Sequence, residues 1–458
     1  MIENFLRGGE SDIKNLFTRF KKRNFTGDTG QAIKNSSYQL TQNVIMKVGS
    51  LLFTIIIARL LMPELFGLYS LALSTILFLG IFSDLGINSA LVTFISKSLG
   101  KKNLGKAKGY TKVLLKWKIY LTIGASFILA IGSYFIANYY YQKPLFFALL
   151  AGVIYIPATK IVDFFNSIYN ANNNFKKPMK NGILFQILRL IFIPLTIVLL
   201  LNLGWSNQRV VFGILIALSL CYLISAWYLS FKFKKEIPFV KSKEAPLNKK
   251  EKKDLLKFIL PLSTMALSGI FFGNIDTLML GHYVPSKFIG FYGAAFSLAT
   301  SIIAIIGFAV RGTFPIFARK EGKELNKIFS KTRNFTLLIS FVSAILTYFL
   351  AYFGVLIAYG KDYLTSVGLL ELFAILVIII PASSVYDSYF ISRKKTKIVM
   401  WILVSSTVLN IVLNFIGITY GISVAGEVGG IYGASVATII SRIFYLGLDI
   451  IMKSRTKK

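Results

Sequence analysis

The first long apolar run of the chain is TQNVIMKVGSLLFTIIIARLL, residues 41–61. It has the length of about 20 residues that an α-helix needs to cross a bilayer core of about 30 Å. Further apolar runs of this kind occupy residues 68–95, 113–137, 144–168, 179–201, 209–232, 257–282, 288–317, 334–358, 364–391, 397–418 and 428–452. The sequence therefore predicts an all-α polytopic membrane protein with about 12 transmembrane helices.

The composition agrees with a membrane protein. Of 458 residues, 55% are hydrophobic and 16% are charged, whereas soluble domains carry about 25% charged residues. The single cysteine, Cys221, excludes a disulfide framework and a cysteine-based metal cluster, and the single histidine, His282, argues against His-rich metal sites. Because the predicted spans hold no cluster of acid–base residues or metal ligands, we expect no enzymatic activity and no bound cofactor.

The basic residues collect on one side of the predicted spans. Of 52 Lys and Arg residues, 40 lie in the N-terminal tail, in every second connection and at the C-terminus, whereas five lie on the other side. We call these two sides the basic face and the opposite face. Since cytoplasmic segments collect Lys and Arg, the pattern predicts that both termini are cytoplasmic. It also accounts for most of the net charge of +33 without nucleic acid as a partner.

The chain contains an internal repeat at an offset of 223–224 residues. PELFGLYSLA at 63–72 matches PSKFIGFYGAA at 285–295, and the pattern Pro-Ala-x4-Asp at 157–163 recurs at 381–387. Each half holds six predicted spans, so both halves enter the membrane in one orientation, and a cleft is expected between two parallel lobes. The predicted parts are a basic tail (1–40), an N-lobe (41–232, helices 1–6), a cytoplasmic linker (233–256), a C-lobe (257–452, helices 7–12) and a basic C-terminal tail (453–458).

Charged side chains inside the spans mark the candidate functional residues. They are Lys47, Asp84, Lys160, Asp163, Arg189, Asp276, Arg311, Asp387 and Arg442. Each charge at a helix centre costs at least about 2.5–3.5 kcal/mol, so these groups should line a watery cavity, pair, or lie near an interface. Helical spacing also aligns polar residues into seams, of which one contains Asn43 and Lys47. Another seam comprises Ser435, Thr438, Arg442, Tyr445 and Asp449.

These charges divide into three groups. We expect Lys47, Arg189 and Arg311 to contact transported cargo, because they lie deepest in the predicted spans or are hardest to explain as structural. Asp84 and Asp276 are candidates for binding a coupling ion, Na⁺ or H⁺, although helix packing at Asp84 and a helix cap or neighbour contact at Asp276 explain them equally well. The remaining four lie within a few turns of the basic face, where snorkelling or structural pairing accounts for them.

Three segments of the chain resemble the polysaccharide transporter family, the Wzx-type oligosaccharide flippases of the multidrug/oligosaccharidyl-lipid/polysaccharide exporter superfamily. The first is NVIMKVGSLLFTIIIARLLMPELFGLYSLALS at 43–74, which continues as IFSDLGINSALVTFIS at 81–96. The others are NIDTLMLGHYVPSKFIGFYGAAFS at 274–297 and NIVLNFIGITYGISVAGEVGGIYGASVATIISR at 410–442. Together the resemblance spans nearly the whole chain after residue 40, and its loose patterns of Gly, Ala and aromatic residues specify the family better than the cargo.

The resemblance implies a secondary transporter of the plasma membrane with two six-helix lobes that alternate around a cationic lumen. Such proteins move polyprenyl-diphosphate-linked oligosaccharides to the outer leaflet for polysaccharide or glycan assembly. The implied partners are this lipid-linked oligosaccharide, membrane lipids, and a polysaccharide polymerase or ligase. Lys47, Arg189 and Arg311 would offer positive charge to the diphosphate, while seam residues such as Asn43 and Asn410 suit sugar hydroxyls.

The sequence departs from the family at one place and leaves alternatives open. Members often carry Arg shortly after the Asp-Leu-Gly of the second helix, whereas this chain reads Ala-Leu-Val-Thr at 90–93, so Lys47 and Arg311 become the better diphosphate ligands. A multidrug or cation-coupled extruder of the superfamily would prefer an acidic lumen. A lipid II-type flippase usually has more helices. A membrane glycosyltransferase is disfavoured by the short loops on the opposite face.

Overall fold

The computed structural model describes residues 27–311, Phe317 and residues 320–455, and the secondary structure of this part is helical. Its α-helices are α1 (Gly27–Gly80), α2 (Ile87–Gly100), α3 (Leu104–Phe135), α4 (Phe146–Ala171), α5 (Lys176–Asn202), α6 (Asn207–Ser230), α7 (Phe233–Glu236), α8 (Lys249–Tyr283), α9 (Ser286–Arg311), α10 (Gly322–Phe349), α11 (Ala351–Tyr359), α12 (Ser366–Ser392) and α13 (Thr396–Arg455). Most of the predicted basic tail and the last three residues lie outside the described residues.

Ten described segments are long and apolar enough to cross a membrane, which confirms the polytopic all-α class. Two of them, at 50 and 60 residues, far exceed the length of about 20 needed for one crossing. Each bends once: α1 at Met62, where φ is 59°, and α13 at Ala425 and Gly426. The bend in α1 precedes Pro63, whose ring disfavours helical backbone at the preceding residue. If each arm crosses separately, the total is the twelve spans predicted; that number and the side of the termini stay predictions.

The helix boundaries differ from the hydropathy boundaries at several places, two of which involve α1. Helix α1 begins 14 residues before the predicted start of the first span at residue 41, because hydropathy marks the apolar core and not the end of the helix. The predicted second span over 68–95 is not one helix: α1 ends at Gly80, a 3₁₀ turn covers Ile81–Ser83, and α2 starts at Ile87.

The two arms of α13 fold back on each other. A Cβ atom placed on Gly417 would lie 2.6 Å from the carbonyl oxygen of Gly433, and one on Gly421 would collide with the carbonyl oxygen of Gly429. Gly417 meets Gly433 and Gly421 meets Gly429, so the residue numbers of the contact partners rise along one arm and fall along the other. The arms are therefore antiparallel. Only glycine permits this approach of two backbones.

The buried apolar residues form one shared core, two separate cores and one small cluster around Phe272. The largest cluster joins both lobes towards the opposite face, and it includes Leu71, Tyr292 and Tyr363. Towards the basic face, the N-lobe has its own cluster around Leu91 and the C-lobe has another around Phe390. The lobes thus share one core on the opposite side, whereas on the basic side each lobe has its own core and the start of α8 connects them.

The predicted linker is attached to the N-lobe. The ammonium groups of Lys106 and Lys112 lie 2.8 and 2.7 Å from the carboxylates of Glu251 and Glu244, respectively. A Cβ on Gly109 would collide with the carbonyl oxygen of Ala245, so the linker runs directly over α3. The start of α8 also packs against N-lobe residues in their common cluster. Any movement of the lobes would therefore carry the linker with the N-lobe.

Candidate functional site

A pocket of about 270 Å³ lies between the lobes. Its lining comes from Ile81, Asp84, Leu85 and Lys160 of the N-lobe and from Met265, Ala266, Gly269 and Ile270 of α8. Asp84 and Lys160 supply the charged groups of this lining. Because the lobes separate towards the basic face, the pocket lies in the half of the molecule where they are least tightly packed.

The interruption between α1 and α2 positions Asp84 in this pocket. Leu85 and Gly86 have φ values of 42° and 83°, and a Cβ on Gly86 would lie 2.9 Å from the Cβ of Leu262, so this left-handed, crowded position requires glycine. The break leaves a backbone carbonyl without a helical partner. The hydroxyl of Ser263 donates to the Leu85 carbonyl at 2.6 Å, so α8 satisfies the break from across the pocket.

Lys118 neutralises Asp84. Its ammonium group donates to Oδ1 of Asp84 at 3.0 Å and to Oδ1 of Asn88 at 2.7 Å, and its side chain is only 3% exposed. Lys118 is not among the predicted site residues, although its position inside the predicted span 113–137 was a usable signal. Asp84, a predicted ion-coupling residue, therefore already has a cation as its partner.

Lys160 is held more loosely. Its Nζ atom lies 3.8 Å from Oδ2 of Asp163, one turn further along α4, and Asp163 is 45% exposed. This separation is at the limit of an ion pair, and exposed pairs contribute little. The Lys160 ammonium group therefore lines the pocket as a cation whose charge is only partly compensated.

The opposite side of the lobe interface is closed by close backbone packing. The repeat-equivalent glycines Gly67 and Gly290 both lie here. A Cβ on Gly67 would collide with the carbonyl oxygen of Ser286, and one on Gly290 would collide with that of Pro63. Thus α1 and α9 touch through their backbones, and the two copies of the repeated motif meet at the interface.

Polar contacts reinforce this closed side. The Lys143 ammonium group donates to the Gly281 carbonyl at 2.5 Å, the Tyr363 hydroxyl to the Ala58 carbonyl at 2.8 Å, and Arg59 Nε to the Ala358 carbonyl at 2.7 Å. Each of these bonds joins the two lobes. The pocket is therefore shut off from the opposite face.

A second polar site lies inside the C-lobe around Asp276. This carboxylate is buried and accepts three hydrogen bonds of 2.6 Å: from the Tyr292 and Thr438 hydroxyls at Oδ2 and from Asn414 Nδ2 at Oδ1. Asn410 Nδ2 donates to the Thr438 hydroxyl at 3.3 Å. Helices α8, α9 and both arms of α13 thus converge on one acid.

Two amide oxygens beside Asp276 lack donors. Within the described residues, Oδ1 of Asn410 and Oδ1 of Asn414 are buried and have no hydrogen-bond partner. Buried acceptors without donors cost free energy unless a cation or water satisfies them. The oxygens of Asp276, Asn410, Asn414 and Thr438 are the type of ligand that hard cations prefer.

The predicted seam of α13 continues from this site towards the basic face. The guanidinium group of Arg442 lies 3.7 Å from the centre of the Phe272 ring. One turn further, the Tyr445 hydroxyl donates to Oδ1 of Asp387 at 2.9 Å. Asp387 is thus paired with a residue that the helical spacing had already placed on an interior seam.

The predicted residues Arg189, Asn43, Lys47 and Asn410 are not among the lining residues of the pocket between the lobes. Arg189 lies inside the N-lobe, where its Nε donates to Gln186 at 2.6 Å and its guanidinium group is 4.5 Å from the Phe53 ring centre. Asn43 and Lys47 are partly buried on the first arm of α1, and Asn410 belongs to the Asp276 network. The side chain of Arg311 lies outside the described residues.

Two solved structures have a fold similar to that of this chain. The chain is similar to an inward-facing multidrug resistance MATE family transporter of the MOP superfamily, with a TM-score of 0.64, 15% identity, and coverage of 92% of this chain and 95% of that one. It is also similar to the lipid II flippase MurJ in an inward closed conformation, with a TM-score of 0.67, 16% identity, and coverage of 90% and 87%.

Sequence comparisons identify the family. An uncharacterized membrane protein of Methanocaldococcus jannaschii is 26% identical over 92% of this chain and 98% of its own length. The MatE family model matches residues 261–416, and the model described as "Polysaccharide biosynthesis protein" matches residues 32–321. These matches confirm the predicted resemblance at the level of the family and superfamily, whereas the Wzx type stays a prediction. This chain is therefore a multi-pass membrane protein that belongs to the polysaccharide biosynthesis protein family.

Proposed function

We propose that the protein is a flippase that moves a polyprenyl-diphosphate-linked oligosaccharide from the cytoplasmic to the outer leaflet of the plasma membrane by alternating access. The observation that carries the proposal is the pocket between the lobes, closed at Gly67 and Gly290 and lined by the loosely paired Lys160. In this proposal the basic face is cytoplasmic, and the pocket receives cargo from that side.

The chemistry of the pocket suits an anionic headgroup. A diphosphate cannot cross hydrocarbon without compensating charge. Because Lys118 neutralises Asp84, the cation left to meet the cargo is Lys160, whose bond to Asp163 is long. Lys47, Arg189, Arg311 and Asn43 remain proposed cargo contacts in other states of the transport cycle, since alternating lobes expose different surfaces.

We assign ion coupling to Asp276 in preference to Asp84. Asp276 has hydroxyl and amide neighbours and two amide oxygens beside it without donors among the described residues. These oxygens fit a hard cation such as Na⁺. Asn410, predicted to contact sugar, is in this proposal a ligand of the coupling ion, because its side chain lies in the Asp276 network.

Two alternative functions have support from the same fold. The MATE transporter and MurJ are both similar structures, so multidrug extrusion and lipid II flipping fit the architecture equally well. The loosely held Lys160 in the pocket favours an anionic cargo over a cationic drug. The match of residues 32–321 to a polysaccharide biosynthesis family favours a glycan-linked cargo.

The test is leaflet accessibility in proteoliposomes that contain a fluorescent polyprenyl-diphosphate oligosaccharide, with and without a Na⁺ or H⁺ gradient. We expect protein-dependent movement that Lys160→Ala slows at least about tenfold, since a charge-assisted hydrogen bond is worth about 1.5–3 kcal/mol. Lys47→Ala and Arg311→Ala test the two cations proposed from the sequence. Lys361→Ala, on the opposite face, is the matched control and should retain the normal rate.

The cargo alternatives give distinct outcomes. Movement of lipid II but not of the oligosaccharide lipid would replace the proposed cargo with lipid II. Efflux of a cationic dye with no lipid movement would support the drug extruder. If the oligosaccharide lipid moves at the same rate in the Lys160→Ala variant, the pocket is not its binding site.

A further inference from the structure

Asp449 is a buried acid that the proposed mechanism does not use. It lies on α13 with 0% of its surface exposed, and neither carboxylate oxygen has a hydrogen-bond partner among the described residues. Asp276, in contrast, accepts three hydrogen bonds. A buried carboxylate that lacks donors is strongly disfavoured as an anion, so this group requires a compensating ligand.

The immediate surroundings of Asp449 are apolar. Leu446 and Met452 on the same helix pack into the basic-side core of the C-lobe, and Leu448 packs in a small cluster with Phe272 and Tyr445. These neighbours exclude water and lower the local dielectric. Coulombic and desolvation effects on the carboxylate are therefore larger than they would be at the surface.

The polar neighbours of Asp449 are bound to other groups. One turn before it, the Tyr445 hydroxyl donates to Asp387 at 2.9 Å. One turn after it, the Lys453 ammonium group donates to Asn326 at 3.0 Å and lies 3.7 Å from the centre of the Tyr389 ring. The donors closest along the helix are thus directed away from the Asp449 carboxylate.

The charged and titratable groups around this part of α13 come from three helices. They are Asp276 on α8, Asp387 and Tyr389 on α12, and Arg442, Tyr445 and Lys453 on α13, while α10 contributes the neutral Asn326. The first arm of α13 contributes apolar Val399 and Ile402. Arg442 lies over the Phe272 ring, two turns away from Asp449.

These surroundings select a proton over a metal ion. A hard cation takes about six or more oxygen ligands, whereas Asp449 has apolar neighbours and its polar neighbours along the helix are bound to other groups. A proton needs one carboxylate oxygen and no further ligand. We infer that Asp449 carries a proton and forms a proton-binding site of the C-lobe, separate from the cation site proposed at Asp276.

The site is close to the basic face. Asp449 precedes the end of α13 at Arg455 by six residues, a distance of about 9 Å along the helix axis. Lys453 and Asn326 lie between the acid and that end. The step moves one proton from water on this side to one carboxylate oxygen, and its reversal returns it. The protein would thereby gain a response to pH on the basic side.

Infrared spectroscopy of the purified full chain in nanodiscs tests the inference without any cargo. At neutral pH we expect the carbonyl stretch of one protonated carboxyl group per chain, and we expect its complete loss in Asp449→Asn. Asp163→Asn is the matched control, because the Asp163 side chain is 45% exposed and not enclosed as Asp449 is. Its substitution should leave the band unchanged.

Further variants keep the test decisive. If Asp449→Asn does not fold, Asp449→Glu should keep a protonated carboxyl band at a shifted frequency. A band that disappears in Asp276→Asn instead would assign the proton to the other acid and overturn the inference. Absence of any protonated carboxyl band in the folded native protein would overturn it as well. Neither result depends on the cargo. The leaflet-accessibility assay in proteoliposomes tests the flippase proposal separately.

Discussion

The two lobes share a repeated sequence pattern but differ in the prevailing sign of their interior charges. In the N-lobe, the interior cations outnumber the acids: Lys47, Lys118, Lys160 and Arg189 against Asp84 and Asp163. In the C-lobe, the acids outnumber the cations among the described side chains: Asp276, Glu371, Asp387 and Asp449 against Arg442 and Lys453. In the proposed function, this asymmetry suits an anionic ligand in the N-lobe and a cationic one in the C-lobe.

The buried arginines show the same difference at close range. Arg189 and Arg442 each lie over a phenylalanine ring from the first helix of their lobe, Phe53 and Phe272. Arg189 donates to the neutral Gln186. The polar seam that contains Arg442, in contrast, includes Asp449, and its Tyr445 donates to Asp387. The two lobes thus have the same arginine–phenylalanine contact but differ in the charged groups around it.

The largest effect is expected from removal of the acid at the centre of the C-lobe network. Asp276→Ala leaves the Tyr292, Thr438 and Asn414 donors without their acceptor, at about 1–3 kcal/mol for each group that stays unsatisfied. We expect a loss of about 3 kcal/mol or more in the free energy of unfolding. Thermal unfolding in detergent measures it.

The same experiment reports ion binding. Na⁺ should raise the unfolding temperature of the native protein, since a ligand that binds only the folded state stabilises it. Asp276→Asn, which keeps the side-chain shape, should fold and lose this Na⁺ effect. An undiminished Na⁺ effect in that variant would remove Asp276 from the ion site.

The second prediction separates Asp84 from ion coupling. Lys118→Met leaves the Asp84 carboxylate without its cation, and we expect a loss of about 2–3 kcal/mol, below the 3–5 kcal/mol of a fully buried pair because Asp84 borders the pocket. Adding Asp84→Asn should recover most of that loss. A double-mutant cycle measures this coupling. Near-additive losses would show that the two side chains act independently.

Long-range pairing explains why the sequence predicted the apolar helices better than the sites. The length rule found the apolar segments, and helical spacing placed Thr438, Tyr445 and Asp449 on one interior seam, which the structure buries. The bond between Asp276 and Thr438 joins residues 162 positions apart, so no local pattern reveals it. Lys118 shows a different limit: its position inside a span was visible, but its partner on another helix was not.

Backbone breaks were equally hard to predict. Hydropathy gave one span over 68–95, but the chain leaves the helix at 81–86, where α8 supplies the Ser263 hydroxyl to the Leu85 carbonyl. That compensation comes from 178 residues away. A hydropathy window averages over such a break because the residues around it remain apolar.

A smaller effect should distinguish the two arginines. Lysine cannot present a planar guanidinium group to a ring, so both Arg442→Lys and Arg189→Lys should destabilise the fold. We expect about 1–2 kcal/mol for Arg442, whose contact is 3.7 Å, and about 0.5–1 kcal/mol for Arg189 at 4.5 Å. Unfolding temperatures measured side by side give the order. Equal losses would mean that neither the shorter distance nor the nearby acids strengthen the contact of Arg442.

The smallest effect concerns the basic face. The Lys112–Glu244 ion pair is 2.7 Å long, but the lysine side chain is 71% exposed. Lys112→Ala should therefore change the free energy of unfolding by less than about 0.5 kcal/mol, because water and salt screen exposed pairs. Raising the salt concentration should have an equally small effect on the native protein. A loss comparable to that of Lys118→Met would contradict this prediction. It would show that an exposed ion pair on the basic face stabilises the fold as much as a buried pair inside a lobe.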